Sequence, residues 1–407
     1  MRDEGTTRQR PRPLEGLKVL EMGQLLAGPF ASVLLAWFGA EVIKIEPPGT
    51  GDPLRTWRAL HKGTALWWYI LGRNKKCITL NLRSQKGQEI ARQLASHVDV
   101  VLENFKPGTL EKWGLGYEDL EKVNPRLIMA RISGWGQTGP YSHKPGFASV
   151  AEGVGGLRFV TGYPDRPPVR PNLSLGDSLA GLHAALGILM AVYYRDIHGA
   201  GKGQVVDVAI YEAVYNMMEG MVPEYDKTGV IRQREGTRLS GIVPTGTYPC
   251  KDGIYIIIGG NNDSIFKRMM MTMGRPDMAN DPRFEHNNDR AQHADEIDQA
   301  IEVWTTQHPS ADVVRILEEA GVPVGPIYSV ADMLRDPHFR ARGLFEEVDI
   351  GDGEKIKLPT LVPKLSETPG GMDWIGPKLG AHNRDVYAGM LGYSDEEIER
   401  LSVDGVI

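Results

Sequence analysis

Cysteine is almost absent from this chain, with only Cys77 and Cys250 among 407 residues. Two cysteines build neither a disulfide framework nor a zinc cluster, which excludes small secreted scaffolds and zinc-finger proteins. No run of 18 apolar residues occurs, so no membrane span is expected. A strong charge of one sign is missing too. The chain has 46 Lys+Arg against 52 Asp+Glu, a net charge of −6, and this balance argues against nucleic-acid binding.

The N-terminal segment and the histidines also lack specific signals. Residues 1–13 are polar, carry four arginines beside Asp3 and Glu4, and have no apolar core of a signal peptide. We interpret them as a disordered tail on a cytoplasmic protein. His286, His293 and His308 lie in polar surroundings without metal-ligand spacing, so no metal site is expected.

Strand and helix patterns alternate along the first third of the chain. An apolar strand at 17–22, a helix at 30–38 after Gly28-Pro29, and a strand at 41–45 are joined by short loops. Such a β-α-β unit predicts a parallel sheet with a right-handed crossover. Further strands are predicted at 77–80, 98–102 and 127–132, and a helix at 85–96. The pattern predicts the α/β class with a Rossmann-like large domain.

The remaining length predicts a second folding unit. At roughly 100–200 residues per domain, the chain predicts two or three domains. Residues 264–321 are mostly helical in pattern and indicate a second, smaller domain. Further on, residues 355–359 read as a strand, and Ser394-Asp395-Glu396-Glu397 forms a capping box that opens a last helix.

The loop after the first strand lacks a dinucleotide fingerprint. Residues 23–28 read Gly-Gln-Leu-Leu-Ala-Gly. This spacing does not let a pyrophosphate approach the following helix, so nicotinamide or flavin binding is disfavoured.

Asp177 is the sharpest local signal of the chain. Leu175-Gly176-Asp177-Ser178 precedes a helical run at 179–194. One interpretation is an N-cap, whose carboxylate satisfies free backbone N–H groups. The other is a carboxylate placed at a helix start for nucleophilic attack. Both can hold, because the positive helix end keeps the carboxylate ionised.

The helical run itself has two kinds of side chain. Small residues at 180, 181, 184, 185 and 187 give a smooth face for close packing. Large apolar residues recur at helical spacing, namely Leu182, Leu186, Leu189 and Tyr193.

Several motifs together resemble one known family. In chain order they are Leu14-Glu15-Gly16-Leu17-Lys18-Val19-Leu20, Ala27-Gly28-Pro29, residues 38–46, Asn74-Lys75-Lys76 with Leu80-Asn81, residues 103–108, Leu115-Gly116-Tyr117, Asn124-Pro125-Arg126-Leu127-Ile128, Gly134 with Gly139-Pro140-Tyr141, and Gly176-Asp177. Each motif alone is weak, but their shared order and separations are specific. The chain resembles the class III CoA-transferase family of CaiB/BaiF type, which includes formyl-CoA, carnitine and succinyl-CoA-dependent enzymes.

This resemblance implies an architecture. Family members are homodimers of two ring-shaped chains threaded through each other, with a smaller α+β domain inserted in the large one. Carried over to this chain, the resemblance implies a large domain at 14–223, a small domain with linkers at 224–325, and a return to the large domain at 326–407. Neither nucleic acid nor membrane is an expected partner, whereas a homologous second subunit is an open alternative to the homodimer.

The resemblance also implies chemistry. A class III enzyme moves CoA from a thioester to a free carboxylic acid, so CoA thioesters are substrates and no cofactor is permanently bound. Asp177 matches the catalytic Asp, which forms an aspartyl mixed anhydride and then an aspartyl-CoA thioester. Gly259 and Gly260 match the family's mobile glycine loop over the active site.

Positions that contact CoA in the family also have matches here. Basic groups are expected around the phosphorylated ADP portion of CoA. The resemblance assigns CoA contacts to Leu80, Asn81, Leu82, Arg83, Asn104, Phe105, Lys106, Lys112 and Lys144.

Departures from the family pattern bear on the substrates. Leu26 and Pro47 stand where formyl-CoA transferases have Gln and Arg, and the segment 259–262 has fewer glycines. The formyl/oxalate pair is therefore disfavoured. The pattern is most similar to members that use succinyl-CoA with malate, citramalate or glutarate. Arg73, Arg170 and Arg238 are candidates to clamp the second carboxylate of an acceptor, because a planar guanidinium binds carboxylate in a bidentate manner.

Two other functions stay open at this point. The first is an α-methylacyl-CoA racemase-like isomerase, but Phe147 stands where a racemase has its His, and a phenyl ring accepts no proton. The second is a non-catalytic partner subunit of a heteromeric transferase, which the retained Asp177 argues against.

Overall fold

A computed structural model describes residues 11–351 and 353–407. The tail predicted at 1–13 therefore lies, up to residue 10, outside the described residues. The described part contains thirteen strands: β1 (Lys18–Glu21), β2 (Glu41–Glu46), β3 (Leu60–His61), β4 (Thr64–Ala65), β5 (Lys75–Thr79), β6 (Val100–Glu103), β7 (Ile128–Ser133), β8 (Val205–Ala209), β9 (Thr245–Pro249), β10 (Tyr255–Gly259), β11 (Val324–Pro326), β12 (Phe345–Asp349) and β13 (Lys355–Pro359).

Nineteen α-helices lie in the same described ranges, with two short 3-10 helices at Pro53–Thr56 and Pro282–Phe284. The α-helices are α1 (Ala27–Trp37), α2 (Trp68–Leu71), α3 (Gln85–Ala95), α4 (Thr109–Lys112), α5 (Tyr117–Leu120), α6 (Ala148–Val154), α7 (Leu157–Val160), α8 (Leu175–Asp196), α9 (Ile210–Tyr215), α10 (Met221–Thr228), α11 (Asp263–Thr272), α12 (Pro276–Ala279), α13 (Asn287–Gln292), α14 (Ala294–Thr305), α15 (Ser310–Glu319), α16 (Val330–Arg335), α17 (Pro337–Ala341), α18 (Asn383–Gly389) and α19 (Asp395–Val403).

The main sheet has six strands in the order β5-β2-β1-β6-β7-β8, and every neighbouring pair is parallel. The predicted α/β class with a parallel sheet is thereby confirmed. Counted along the sheet's own strands, the order is 3-2-1-4-5-6, as in doubly wound dinucleotide-binding folds. The order reverses between β1 and β6, and in such sheets ligands bind beyond the carboxyl ends of the strands at this switch point.

Alternating side chains of these strands point into two separate cores, which is why the strands read as apolar runs. One core packs against α1 and α8 and includes Val19, Val42, Val100, Leu102 and Ile132. The other packs against α3, α18 and α19 and includes Leu20, Ile43, Ile45, Val101 and Met129. The sheet is therefore covered by helices on both faces.

The chain divides into two compact units. Of the described residues, the first comprises those up to Gly156, Pro171–Met218 and those from Ala341 to Ile407, and the second comprises Leu157–Arg170 and Glu219–Arg340. Residues 157–170 fall in the second unit because Arg234 ties them to it, donating to the carbonyl oxygens of Phe159 (3.0 Å) and Tyr163 (3.3 Å). This division differs from the bounds taken from the family at both ends of the second unit.

The second unit is built on a three-stranded antiparallel sheet in the order β11-β10-β9. β9 and β10 form a hairpin, with Gly253 at a positive φ of 77° in its turn. Helices pack against this sheet over a core that includes Phe266, Met269, Phe284, Ile301 and Leu317.

Helix α8 buries its small face and exposes its large apolar face. Ala180, Ala184 and Ile188 are fully buried, and a Cβ added at Gly181 would lie 2.7 Å from the Ala27 carbonyl oxygen of α1. Leu182, Leu186, Leu189 and Tyr193 are exposed. Among the described helices, α8 alone is long and apolar enough to cross a membrane, by length and composition only. A core helix of a soluble protein can have the same length and composition.

Candidate functional site

Asp177 lies in the first turn of α8, as its third residue, and is half-buried. The N-cap position belongs to Ser174, whose side chain makes no capping hydrogen bond. The N-cap interpretation of Asp177 is therefore wrong, because the helix begins at Leu175 rather than after Asp177. The position still places the carboxylate at the positive end of a 22-residue helix, where the helix dipole attracts negative charge.

Gly176, next to Asp177, lies in a closely packed position. A Cβ added there would lie 3.2 Å from Glu152 Cγ, 3.2 Å from Ile210 Cγ2 and 3.3 Å from Ala148 Cβ. The Gly176 N–H donates to Glu152 Oε1 at 3.2 Å, and Glu152 of α6 is fully buried. Sequence reasoning missed Glu152; its signal was a single acidic residue within the run of small and apolar residues at 148–156.

At the switch point of the sheet, the Asn104 side chain links the loop after β6 to the loop after β1. Its Oδ1 accepts from the Gln24 N–H at 2.8 Å, and its Nδ2 donates to the Gln24 carbonyl at 2.8 Å. A Cβ at Gly23 would lie 2.9 Å from Asn104 Oδ1. Asn104 therefore uses its carboxamide to hold the β1–α1 loop at the end of β6.

Buried charged side chains also bind the β1–α1 loop. Lys44 Nζ donates to the Gly23 carbonyl at 2.8 Å and pairs with Glu21 and Asp52, both at 2.8 Å. Asp52 in turn accepts from the N–H of Leu25, which has a positive φ of 64°. Burial alone would raise the pKa of Glu21, but the charge of Lys44 and its neighbours lowers it to about 2. The loop conformation is thus set by fully buried ion pairs.

A second charged cluster fixes the segment after β6. Arg131 donates to Glu103 at 2.7 Å and to Glu111 at 2.6 Å, so it bridges the strand end and α4. The other Glu103 oxygen accepts from the Phe105 N–H at 2.7 Å. Burial raises the pKa of Glu103 to about 7, although Arg131 opposes this shift. The segment between Glu103 and α4 is therefore held at both ends.

The predicted cations lie on the surface of the first unit. Lys106, Lys112 and Lys144 are exposed. The ammonium of Lys144 lies 3.5 Å from the ring centre of Tyr141, a cation–π contact. The Phe105 ring packs edge-on against Trp113 with centroids 5.5 Å apart. Trp113 comes directly after α4, so this contact reinforces the same segment.

Of the predicted stretch 80–83, only part faces solvent. Leu80 and Leu82 are buried in the core. The Asn81 N–H donates to the Val406 carbonyl at 2.8 Å, and Asn81 Oδ1 accepts from the Arg83 N–H at 3.1 Å. Arg83 is exposed. Of these four residues, only Arg83 offers an exposed charged side chain.

Gly259 and Gly260 lie in the second unit at the end of β10. Their N–H groups donate to the carbonyl oxygens of Pro323 and Pro244, each at 2.9 Å. A Cβ at Gly260 would lie 2.9 Å from two atoms of Met269, whereas one at Gly259 would meet only Pro323, at 3.7 Å. The segment is held by backbone hydrogen bonds on both residues.

Arg290 anchors the residues that follow, and sequence reasoning missed it. Its side chain is fully buried. The guanidinium donates to the carbonyl oxygens of Val243 (3.0 Å), Phe284 (2.9 Å) and Asn261 (2.5 Å) and to Asp263 Oδ1 (2.7 Å). An Arg within the polar run 286–293 has no sequence pattern that separates it from a surface Arg.

Phe147 and the three arginines considered for acceptor binding lie in different surroundings. Phe147 is the N-cap of α6 and is 73% exposed. Three arginines were candidates to clamp the acceptor. Arg73 is buried and donates to the Pro359 carbonyl at 2.6 Å. Arg238 pairs with Asp295 (2.7 Å) and Asp298 (2.5 Å), and Arg170 is exposed.

The predicted site residues are divided between the two units. Asp177 and the predicted CoA contacts all fall in the first unit, and Gly259 and Gly260 fall in the second. Within residues 11–351 and 353–407, no group of three His, Cys, Asp or Glu side chains is arranged to hold a metal.

Comparisons with known proteins agree on one family. The model of CoA-transferase family III matches residues 14–383. The chain is 50% identical over 403 residues to the succinyl-CoA–D-citramalate CoA-transferase of Chloroflexus aurantiacus, covering 99% of this chain and 100% of that one. It is 39% identical over 408 residues to the beta subunit of the succinyl-CoA–L-malate CoA-transferase of the same organism, covering 99% and 100%. The crystal structure of a CAIB/BAIF family protein from Brucella suis superimposes with a TM-score of 0.81 at 35% identity, covering 94% and 100%.

Proposed function

The chain belongs to CoA-transferase family III, and from this premise we propose that it moves CoA from succinyl-CoA to a dicarboxylic acid, citramalate or malate. The observation that carries the proposal is 50% identity to a citramalate CoA-transferase over 99% of this chain. The succinyl donor is common to both relatives named above. Physiologically, the enzyme would act in dicarboxylic acid metabolism.

The proposed mechanism uses Asp177 as the nucleophile. One oxygen of its carboxylate attacks the thioester carbonyl of succinyl-CoA, the C–S bond breaks, and CoA leaves as a thiolate. The product is a mixed anhydride of succinate and Asp177. The thiolate then attacks the aspartyl carbonyl, which releases succinate and forms an aspartyl-CoA thioester.

The acceptor reverses these steps. Its carboxylate attacks the aspartyl thioester, CoA thiolate leaves, and a mixed anhydride of the acceptor and Asp177 forms. Attack of the thiolate on the acceptor carbonyl gives the new thioester and frees the Asp177 carboxylate. Each attack creates an oxyanion that needs preorganised donors. Gly259 and Gly260 stay candidates for a catalytic role that the family resemblance implies, and their N–H groups donate to the carbonyl oxygens of Pro323 and Pro244.

For CoA itself, the proposal assigns the phosphates to the exposed cations of the first unit. Arg83, Lys106, Lys112 and Lys144 are all exposed, and charge-assisted bonds to phosphate are the strong ones. Asn104 and Phe105 serve as the rigid end of the segment that carries Lys106, because Asn104 bonds to the β1–α1 loop and Phe105 bonds to Glu103 at the end of β6. This would leave Leu80 and Leu82 a packing role beneath the nucleotide, with Asn81 shaping the turn.

We further propose that the protein is a homodimer of interlocked rings, with the second unit inserted in the first. Support comes from α8, whose exposed apolar face includes Leu182 (53% exposed), Leu186 (51%), Met190 (61%) and Tyr193 (57%). Continuous apolar surface of this kind marks an interaction site. Light scattering should give twice the 45.0 kDa chain mass, and the Leu186→Glu substitution should lower the mass measured in solution. A monomeric wild type would contradict the dimer.

We also propose that the protein is located in the cytoplasm.

Asp177→Ala tests the nucleophile. Without a carboxylate no anhydride forms, so transfer from succinyl-CoA to D-citramalate should fall about 10³-fold or more. In the wild type, hydroxylamine added after succinyl-CoA alone should convert Asp177 to a hydroxamate detectable by mass spectrometry. Asp207→Ala is the matched control: Asp207 accepts from the Gln137 N–H and should leave turnover within a small factor. Near-normal transfer in Asp177→Ala would refute the proposal.

The substrate assignment has its own test. Succinyl-CoA should be assayed against D-citramalate, L-malate, glutarate and oxalate under one condition. The proposal expects the highest kcat/KM for citramalate or malate. A preference for oxalate would contradict it.

A further inference from the structure

Glu152 is a fully buried carboxylate that the proposed mechanism does not use. It lies in α6, and its Oε1 accepts from the Gly176 N–H at 3.2 Å. Gly176 directly precedes Asp177 in the chain. Glu152 therefore contacts the backbone one residue away from the proposed nucleophile.

This contact supplies an acceptor at the start of α8, where the N-cap residue Ser174 makes no capping hydrogen bond with its side chain. The first turn of any helix leaves backbone N–H groups without helical partners. Usually the N-cap side chain accepts from one of them, but Ser174 makes no such bond here. A carboxylate oxygen from a different helix accepts from the Gly176 N–H instead.

Packing leaves the Gly176 backbone little freedom to move. An added Cβ would lie 3.2 to 3.3 Å from Glu152, Ile210 and Ala148, distances at which neighbouring atoms have to shift. The Gly176 peptide is thus held between α6 and α9, with Glu152 supplying its polar partner. Loss of the Glu152 carboxylate would leave a buried N–H without its acceptor, which the helix start would relieve by moving.

We propose that Glu152 is a positioning residue for the nucleophile: its carboxylate fixes the first turn of α8 through Gly176 and so sets the direction of the Asp177 carboxylate. The inference rests on the proposed function, in which Asp177 attacks the thioester. Attack requires the reacting atoms in a narrow geometry, and a misplacement of about 1 Å costs about 10²-fold in rate. Glu152 acts through the backbone and touches no substrate.

The test compares Glu152→Gln, Glu152→Asp and Glu152→Ala. Gln keeps an acceptor oxygen at the same reach and should keep kcat near the wild-type value. Asp is one methylene shorter and Ala has no acceptor, so both should lose about 10- to 100-fold in kcat. The KM for succinyl-CoA should change little, because the groups assigned to CoA lie elsewhere. Ser174→Ala is the matched control and should change neither constant, since Ser174 makes no capping bond.

Single-turnover trapping separates this inference from the proposed function. Hydroxylamine should trap the Asp177 adduct in the wild type, and more slowly in Glu152→Asp and Glu152→Ala. If the wild type shows no adduct, the proposed function fails. If the wild type shows it and the folded Glu152→Ala variant forms it at the same rate, the positioning role of Glu152 fails. Should Glu152→Ala not fold, wild-type kcat in Glu152→Asp overturns the inference.

Discussion

Two glycine-containing segments belong to the proposed site, and their N–H groups have different kinds of hydrogen-bond acceptor. At the start of α8, the N–H of Gly176 goes to a side chain, the buried Glu152. At the end of β10, the N–H groups of Gly259 and Gly260 go to backbone carbonyl oxygens. The first arrangement depends on a carboxylate that a single substitution removes. The second depends on strand geometry and on the Arg290 side chain behind it, and its N–H groups are already occupied.

The largest expected effect comes from Arg290→Met in the second unit. The change removes donors from several carbonyl oxygens and from Asp263 while keeping the apolar stem. Removing one partner from a buried charged network costs about 3–5 kcal/mol. We expect a lower urea midpoint and faster hydrogen exchange at residues 259–263, measured by mass spectrometry.

Arg268→Met is the matched control for this change. Arg268 also donates to two carbonyl oxygens, those of Ala320 and Gly321, but its side chain is exposed. Water can replace the donors of an exposed side chain, so the free energy of unfolding should fall by about 1 kcal/mol or less. Equal losses in both variants would show that the anchoring of the glycine segment does not depend on the buried guanidinium.

An intermediate effect is expected from Gly260→Ala. The new Cβ would lie 2.9 Å from the end of the Met269 side chain and 3.1 Å from Pro244. Because the end of a methionine side chain can shift, the overpacking should lower the free energy of unfolding by about 1 kcal/mol. Gly259→Ala meets only an ordinary contact of 3.7 Å, so its stability should stay within about 0.5 kcal/mol of the wild type. Unfolding midpoints of the two variants check this order. If Gly259→Ala keeps its stability but loses kcat, the segment takes part in catalysis; unchanged kcat would argue against that role.

The smallest expected effect concerns the capping of two helices, α11 and α8. Asn262 caps α11 with its own side chain, accepting from the N–H groups of Ser264 (3.1 Å) and Ile265 (3.4 Å). Asn262→Ala should therefore cost about 1 kcal/mol. Ser174→Ala at the start of α8 should cost less, because no capping bond is lost. Thermal unfolding of the two variants measures the difference, and a larger loss in Ser174→Ala would contradict capping from α6.

Much of the local structure follows from sequence pattern. The strand predicted at 355–359 is β13 with the same bounds, and the capping box at Ser394 is present with both of its hydrogen bonds. Predicted strands and helices of the first third are confirmed to within a few residues. These elements were predictable because their signals, apolar runs and cap residues, lie within a few positions along the chain.

The site was predictable only in part. Asp177 stood out because a helix start is a local feature. Its true place inside the first turn was missed, since the helix begins four residues earlier than the run at 179–194 indicated. Glu152 was missed because its partner Gly176 lies 24 residues away along the chain. Arg290 was missed because two of its partners, Asn261 and Val243, lie 29 and 47 residues away. Burial of a charged side chain is decided by those distant partners, and no local pattern reports it.

The sequence by itself determined the α/β class, the parallel sheet and the family, because periodicity and ordered motifs are properties of the chain. Tertiary structure alone decided how those parts are used. It turned the Asn104 carboxamide toward the backbone of Gln24 and buried the small rather than the large apolar face of α8. The physical reason is close approach: Gly181 lets α8 lie directly against α1, and such a fit exists only once both helices are in place.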